Sequence, residues 1–232
     1  MNYHHVSGIL LVLDEWRSVR AAALSILPYV DELVFIQTTP KDSITELLRK
    51  EVTSVQYYNK VQYHHIPQAS IERYSYDEEA IRNHAVSLCK YDWILQIDAD
   101  EVIDEGNPDY FRTYEAPIRF KFVNLFDIAH MIVAAYRNGD WVSWYPDLHV
   151  RYFNRTTAEY FGHRHCQPVF KSDGKLLKNC QGIVTSKLRF WHFNALSKET
   201  AKAYITDKPE DYITDELYQM PPMVSRYIQT IG

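Results

Sequence analysis

The sequence predicts an α/β fold with a mostly parallel sheet, helices on both faces of that sheet, and a mixed arrangement of strands in the C-terminal half. Strand and helix patterns alternate through the first hundred residues, as they do in right-handed strand–helix–strand crossovers. The first apolar run is continuous, which is typical of a strand buried on both faces. After residue 105 the pattern changes to runs in which apolar and polar residues alternate.

Four strands and three helices account for the first half of the chain. The strands are predicted at 6–13, 31–37, 61–66 and 93–97. The first helix occupies 15–27 and ends at Pro28, because proline cannot continue a helix. The second occupies 42–51. The third follows a capping box of Ser75 and Glu78 and is predicted to bury one face, made of Ala80, Ile81, Ala85 and Leu88.

The second half is predicted to add three strands and two helices. The strands lie at 118–123, 148–153 and 188–193, and the helices at 197–206 and 209–218. The sequence has no internal repeat and no linker rich in glycine or serine. We therefore expect one domain that spans residues 1–232.

Composition narrows the class of protein. The chain has 232 residues and a net charge of −5, which is unfavourable for a protein that coats nucleic-acid phosphates. Its apolar stretches stay shorter than the roughly 18 residues of a membrane span. The first residues lack the basic region of a signal peptide, and the three cysteines lack the spacing of a metal site or a disulfide framework. We expect a cytoplasmic protein without a transmembrane segment.

Three carboxylates follow the fourth predicted strand, in the stretch WILQIDADEVI: Asp98, Asp100 and Glu101. Ligands of an open parallel sheet bind beyond the carboxyl ends of its strands. Carboxylates this close repel one another unless a cation lies among them, and Mg²⁺ or Mn²⁺ with oxygen ligands commonly keeps a place for a substrate phosphate. The stretch therefore favours a metal-bound phosphate site. A solvated acidic loop that caps a turn is the alternative.

The segment IRNHAVSLCKYDWILQIDADEVI, residues 81–103, resembles the central signature of family-2-type glycosyltransferases, which have the Rossmann-like GT-A fold. The segment LSILPYVDELVFIQTTPKDSITELLRK, residues 24–50, resembles the family's first helix, second strand and second helix. Three looser blocks resemble short bacterial members similar to lipopolysaccharide-core glucosyltransferases: LHVRYFNR, FGHRHCQPVF and FWHFNALSKE. The resemblance covers most of the chain. It implies a nucleotide-sugar-binding half at 1–105 and an acceptor-binding half at 106–232.

The resemblance also implies roles for individual residues. Asp100 would bind the Mn²⁺ or Mg²⁺ ion that bridges the donor diphosphate, and Asp98 would contact the ribose, or the metal through water. Glu101 would support the loop or the donor sugar. Arg82 would lie near the nucleotide or diphosphate, since a guanidinium group suits phosphate oxygens. His192 would complete the metal shell; a core histidine that follows a strand is the alternative.

The chain departs from the family pattern at the nucleotide site. Relatives have an aspartate at the end of the second strand that contacts the base, and Gln37 stands there in this sequence. An amide still donates and accepts hydrogen bonds, so Gln37 can read a base edge with an altered preference. Asp42 matches a second acid of the same loop. At the end of the first strand, Asp14 or Glu15 is expected to touch the nucleotide.

A second departure concerns the catalytic base. Relatives often read G-x-V-H-E where this chain has Gly162 to Cys166, so a cysteine replaces the glutamate. Inverting transfer needs a base within hydrogen-bond reach of the acceptor hydroxyl. We favour Asp147, which could equally be a turn aspartate after Pro146, and retain His165 as the imidazole candidate. Glu159 and His163 are further candidates, and a nucleophilic role for Cys166 is disfavoured because no activating group beyond the histidines is evident.

The sequence therefore predicts a metal-dependent, inverting glycosyltransferase with a nucleotide-diphosphate sugar donor, most simply UDP-linked. The acceptor is open: a glycan, a lipid-linked sugar, a protein side chain or a modified nucleobase. An aromatic loop, with Trp141, Trp144 and Tyr145, either stacks on a sugar or packs the sheet. One alternative is a non-catalytic nucleotide-sugar-binding module. A nucleotidyltransferase is disfavoured because the first strand is not followed by a glycine-rich basic loop. A dehalogenase-type phosphatase is disfavoured because such enzymes carry their D-x-D after the first strand, whereas the D-x-D of this chain follows the fourth.

Overall fold

The structure is a computed structural model, and it describes residues 3–12, 18–38, 58–66, 77–124, 131–132, 134–137, 140–143, 147–162, 166–179, 183–192 and 213–214. The strands in chain order are β1 Val6–Val12, β2 Glu32–Gln37, β3 Val61–His65, β4 Trp93–Asp98, β5 Glu101–Ile103, β6 Ile118–Asn124, β7 Met131–Ile132, β8 Ala134–Arg137, β9 Asp140–Ser143, β10 Asp147–Asn154, β11 Ala158–Phe161, β12 Gln167–Phe170, β13 Val184–His192 and β14 Ile213–Thr214. The α-helices are α1 Val19–Ile26 and α2 Glu78–Leu88. Single 3-10 turns lie at Leu27–Tyr29, Tyr58–Lys60, Phe111–Thr113 and Leu177–Asn179.

Eight strands form one sheet in the order β3-β2-β1-β4-β10-β6-β13-β5. The first four are all parallel, which confirms the predicted α/β class with a parallel N-terminal half. The remaining pairings are mixed, as predicted: β10 is antiparallel to β4 and β6, β13 is parallel to β6, and β5 is antiparallel to β13. Strands from both halves of the chain thus join one sheet. The division of the chain at residue 105 stays a prediction.

Both faces of the central parallel strands β1, β2 and β4 are buried, whereas the edge strand β3 is partly exposed. Successive residues of a strand point to opposite faces, so Leu10 packs in the apolar cluster under α1 while Ile9 and Leu11 pack in the cluster under α2. Each cluster extends over neighbouring strands, with Phe35 on the first face and Ile36 on the second. The helices therefore cover opposite faces, as the sequence predicted.

The direction of the strands brings the ends of β4, β5 and β13 together. Since β10 is antiparallel to both β4 and β6, and β13 is parallel to β6, strands β4, β6 and β13 run the same way. The carboxyl ends of β4 and β13 consequently lie at the same edge of the sheet. The antiparallel strands β5 and β10 begin at that edge. Outside this sheet, β7 pairs with β14, β8 with β9, and β11 with β12.

One helix boundary agrees with the prediction and one differs. Pro28 ends α1 as expected, within the 3-10 turn that follows the helix. The capping box of Ser75 was wrong: α2 begins after Asp77, whose carboxylate accepts a hydrogen bond from the Ala80 amide at 3.0 Å. Ala80 faces solvent, contrary to prediction, and the buried residues of α2 are Ile81, Arg82, Ala85 and Val86.

Of the two helices predicted near the C-terminus, at 197–206 and 209–218, only residues 213–214 are described. Residues 213–214 form a short strand that pairs with β7, so the helix predicted at 209–218 was wrong there. The helices predicted at 42–51 and 197–206 lie outside the described residues. The three strands predicted in the second half correspond to β6, β10 and β13 and are confirmed.

No helix in the described part of the chain combines the length and apolar character of a membrane span.

Candidate functional site

The three carboxylates form a tight turn at the carboxyl edge of the sheet. β4 ends at Asp98, the turn consists of Ala99 and Asp100, and β5 begins at Glu101. The Asp98 amide donates to Glu101 Oε2 at 3.0 Å, which folds the glutamate back over the turn. Asp100 and Glu101 are buried, with 5% and 1% of their surface exposed. Asp100 and Glu101 are therefore part of the packed interior and not of a solvated loop, while 24% of the Asp98 side chain remains exposed.

Arg82 holds the first acid from the helix side. Its Nη1 lies 3.0 Å from Asp98 Oδ1 and its Nη2 donates to Asp98 Oδ2 at 3.2 Å. Its Nε donates to Glu78 Oε1 at 2.7 Å, one helical turn earlier. The guanidinium group also lies 5.6 Å from the centre of the Tyr160 ring. The side chain reaches the turn because Arg82 shares the inward face of α2 with the apolar residues that pack on the sheet.

Arg151, which the sequence analysis missed, holds the same acid from the neighbouring strand. Its Nη2 donates to Asp98 Oδ2 at 3.0 Å and to Glu101 Oε1, and its Nη1 donates to Gln96 Oε1 at 2.6 Å. The pairing of β10 with β6 shifts register between Val150 and Tyr152, and such irregularities re-aim side chains. Arg151 is one of several polar residues that alternate with apolar ones in β10, so neither its burial nor its partners could be read from the sequence.

The two arginines keep Asp98 ionised. Burial acts to raise the pKa of Asp98, but Arg82 and Arg151 outweigh it and hold this pKa well below its usual range. Burial acts to lower the pKa values of Arg82 and Arg151, but their carboxylate partners outweigh it and raise both pKa values above the ordinary value. At Glu101 burial prevails: it raises the pKa to about 7, with Asp98 adding to the rise and Arg151 opposing it. The pKa values of the two acids at the ends of the turn are therefore shifted in opposite directions.

His192 meets Asp100 from β13. Its Nε2 lies 3.5 Å from Asp100 Oδ2, and its side chain keeps 22% of its surface exposed. The pairing of β13 with β5 sets His192 opposite Glu101 and so beside the turn. Burial acts to lower the pKa of His192, but the attraction of Asp100 raises it above the ordinary value.

Asp100 and His192 fit a divalent metal as a pair of ligands. Two ligand atoms at about 2.1 Å from one ion lie roughly 3 Å apart, close to the separation seen here. Over the described ranges of the chain, no group of three or more histidine, cysteine, aspartate or glutamate side chains surrounds a single point. A site with two protein ligands suits Mg²⁺ or Mn²⁺, which keep waters and take phosphate oxygens.

The other predicted site residues are only partly visible. Gln37 is fully buried and accepts a hydrogen bond from the Tyr63 hydroxyl. Asp147 begins β10 at the same sheet edge as the acidic turn, but its side chain is not described. Outside the described residues lie Asp14, Glu15, Asp42, His163, His165, Trp144 and Tyr145.

Two further candidates are described. Burial raises the pKa of the Cys166 thiol to about 12, so the thiol is neutral near pH 7, which disfavours a nucleophilic cysteine. Glu159 is exposed on β11.

Comparisons with known proteins are distant. No protein-family model and no curated protein sequence matches the chain. Among solved structures it is similar to glucosyl-3-phosphoglycerate synthase from Mycobacterium tuberculosis in complex with Mn²⁺, uridine diphosphate and glucosyl-3-phosphoglycerate, with a TM-score of 0.36, 15% identity, 53% of this chain and 44% of that chain covered. For the complex of that enzyme with Mn²⁺, uridine diphosphate and phosphoglyceric acid, the TM-score is 0.35 and the identity is 15%, with 52% of this chain and 43% of that chain covered. The chain thus spans less than half the length of these structures, and a likeness this distant says nothing about its activity.

Proposed function

We propose that this chain is a metal-dependent glycosyltransferase that moves a sugar from a nucleotide-diphosphate donor, most simply UDP-linked, to an acceptor hydroxyl. The observation that carries the proposal is the buried acidic turn at the carboxyl edge of a parallel sheet, with His192 Nε2 lying 3.5 Å from Asp100 Oδ2. Ligands of such sheets bind at this edge. A carboxylate and an imidazole that converge there offer a divalent ion two ligands.

We propose different roles for Asp98 and Asp100. Asp98 already has two guanidinium partners, so we assign it to orientation and to a ribose contact, and we assign the metal to Asp100 with His192. When bound, Mn²⁺ or Mg²⁺ would offset the charge that develops on the departing diphosphate. Arg82 would add positive potential beside that diphosphate. Gln37, Asp14 and Asp42 are proposed for the nucleotide.

The acceptor hydroxyl needs a base on the opposite side of the sugar if the configuration inverts. Asp147 is the proposed base, and the start of β10 at the edge that holds the acidic turn supports it. His165 is the second choice. Cys166, at the position of the family's glutamate, has a pKa raised by burial to about 12 and cannot take a carboxylate's part.

That cysteine also supports the second candidate function, a nucleotide-sugar-binding module without transfer activity. The two functions make different predictions for the purified protein. A transferase hydrolyses its donor slowly in the absence of acceptor and releases nucleotide diphosphate. A binding module releases none above the background rate, although it binds the same donor.

The proposal is tested by thermal melts with UDP, GDP, dTDP and CDP, each with and without Mn²⁺. A ligand at 100 times its dissociation constant stabilises by about 2.7 kcal/mol, or roughly 5–10 °C for a domain of this size. We expect a shift with one nucleotide that requires Mn²⁺ and is lost in Asp100→Ala. Asp173→Ala, which removes an exposed acid, is the matched control and should keep the shift. No Mn²⁺-dependent shift with any nucleotide would contradict the proposal.

A further inference from the structure

We propose that Arg151 is a positioning residue for metal binding, because its guanidinium group joins the two ends of the turn that carries Asp100. This inference rests on the proposed function, since it takes Asp100 and His192 as the metal ligands. Arg151 itself is not placed in contact with metal or substrate. It acts through the acids on either side of the ligand.

One nitrogen spans the turn. Arg151 Nη2 donates to Asp98 Oδ2 at 3.0 Å and to Glu101 Oε1, the last residue of β4 and the first of β5. Between these residues lie only Ala99 and Asp100. The hydrogen bond from the Asp98 amide to Glu101 Oε2, at 3.0 Å, closes the same turn through the backbone. The chain that presents Asp100 is therefore tied at both ends to one side chain.

The guanidinium group is itself fixed by β4. Arg151 Nη1 donates to Gln96 Oε1 at 2.6 Å, and the amide of Gln96 donates to Asp98 Oδ1 at 2.7 Å. The Tyr160 hydroxyl donates to the same Gln96 oxygen at 2.9 Å. Only 11% of the Arg151 side chain is exposed. A planar donor group with partners on both of its terminal nitrogens has little freedom, which suits a residue that sets geometry.

Arg82 provides the comparison within the same site. It holds Asp98 through both terminal nitrogens and Glu78 through Nε, and its described contacts do not include Glu101. Arg82 thus orients Asp98 from the helix. Arg151 orients Asp98 together with Glu101 and so fixes the intervening Asp100 relative to His192.

A positioning role for Arg151 and simple charge repulsion predict opposite changes in Mn²⁺ affinity when Arg151 is removed. Arg151 is a positive charge close to the proposed cation site, so its removal should strengthen Mn²⁺ binding if only Coulomb repulsion matters. If Arg151 sets the turn, its removal weakens binding, as the loss of a partner of a metal ligand typically does, by about 10- to 100-fold. The sign of the change therefore identifies the role.

The experiment measures Mn²⁺ affinity by calorimetry, in the presence of the nucleotide diphosphate selected by the melts, for the wild type, Asp100→Ala, Arg151→Gln and Arg155→Gln. We expect Arg151→Gln to weaken Mn²⁺ binding by about tenfold or more. Arg155 is the matched control: it pairs with Asp92 at the amino end of β4, at 3.1 Å, so Arg155→Gln should lower the melting temperature without changing Mn²⁺ affinity. Arg151→Lys, which keeps the buried charge but loses the planar fork, should also bind Mn²⁺ more weakly.

The possible results separate the two proposals. Mn²⁺ affinity in Arg151→Gln that equals or exceeds that of the wild type overturns the positioning role and leaves the proposed function intact. If Arg151→Gln does not fold, wild-type Mn²⁺ affinity in Arg151→Lys overturns it in the same way. A wild-type protein that binds no Mn²⁺, or an Asp100→Ala variant that binds it normally, overturns the proposed function and this inference with it.

Discussion

Trp191 Nε1 donates a hydrogen bond to Asp104 Oδ1 at 2.6 Å, across 87 positions of the chain. The other oxygen, Oδ2, accepts from the amide and from Nε of Arg189, both at 2.9 Å. Asp104 follows β5 and its partners lie on β13, so one buried carboxylate aligns the strand that begins with Glu101 with the strand that ends at His192. The position of His192 beside Asp100 depends on this alignment.

We predict that Asp104→Ala destabilises the fold by about 3 kcal/mol or more, because it removes three hydrogen bonds to a carboxylate and leaves a buried indole N–H without that acceptor. The same variant should bind Mn²⁺ more weakly, since it loses the side-chain hydrogen bonds that reinforce the pairing of β13 with β5. Urea unfolding and calorimetry measure the two effects. Asp104→Asn keeps acceptor oxygen and should lose less stability; equal losses in the two variants would argue against hydrogen bonding as the cause.

A direct test of the metal shell is His192→Ala. We expect Mn²⁺ affinity to fall by about tenfold or more, since loss of a ligand costs at least as much as loss of a ligand's partner. Stability without metal should also fall, because the buried Asp100 loses the attraction of the imidazole 3.5 Å away, so the melting temperature of each variant is recorded beside its Mn²⁺ affinity. Free Mn²⁺ can be followed by electron paramagnetic resonance. His84→Ala, at an exposed position of α2, is the control, and an equal effect in both variants would remove His192 from the site.

Acid sensitivity should arise in part at Asp31, away from the site. Burial acts to raise its pKa, but hydrogen bonds from Arg112 and from the Val6 amide, the latter at 2.9 Å, lower it overall. A carboxyl group whose folded-state pKa is lowered contributes stability above its unfolded pKa of about 3.9, and loses that contribution as pH falls through the folded value.

Asp31→Asn should therefore be less stable than the wild type by about 1–3 kcal/mol near pH 7, with the difference shrinking below about pH 4. Urea unfolding at a series of pH values measures it. A difference between the two proteins that stays constant down to pH 2 would contradict this assignment.

The buried thiols should be unreactive in the native protein. Burial raises the pKa of Cys89 and of Cys166 to about 12 in each case, so neither forms appreciable thiolate at pH 8. In a Cys180→Ser background we expect both thiols to resist an aromatic disulfide reagent until urea is added. Rapid labelling of Cys166 in the folded state would reopen its candidacy as a nucleophile.

How much of the site the sequence predicts depends on how local each contact is. Asp98, Asp100 and Glu101 follow one strand, and their common position at a sheet edge follows from strand order alone. Arg82 was named because a family resemblance placed it. Asp77 was missed as the cap of α2 because Ser75 and Asp77 both offer an oxygen near the helix start, and only the backbone conformation decides between them.

The sequence by itself determined the α/β class, the parallel β1 to β4 and the acidic turn, because apolar periodicity and residue spacing are local properties. Only the tertiary structure decided that Arg151 meets Asp98 and Glu101 and that Asp104 meets Trp191. Those pairs are separated by 50 to 87 positions and are set by strand order and register, which no local pattern encodes. A buried charge requires a partner, but the fold selects which one.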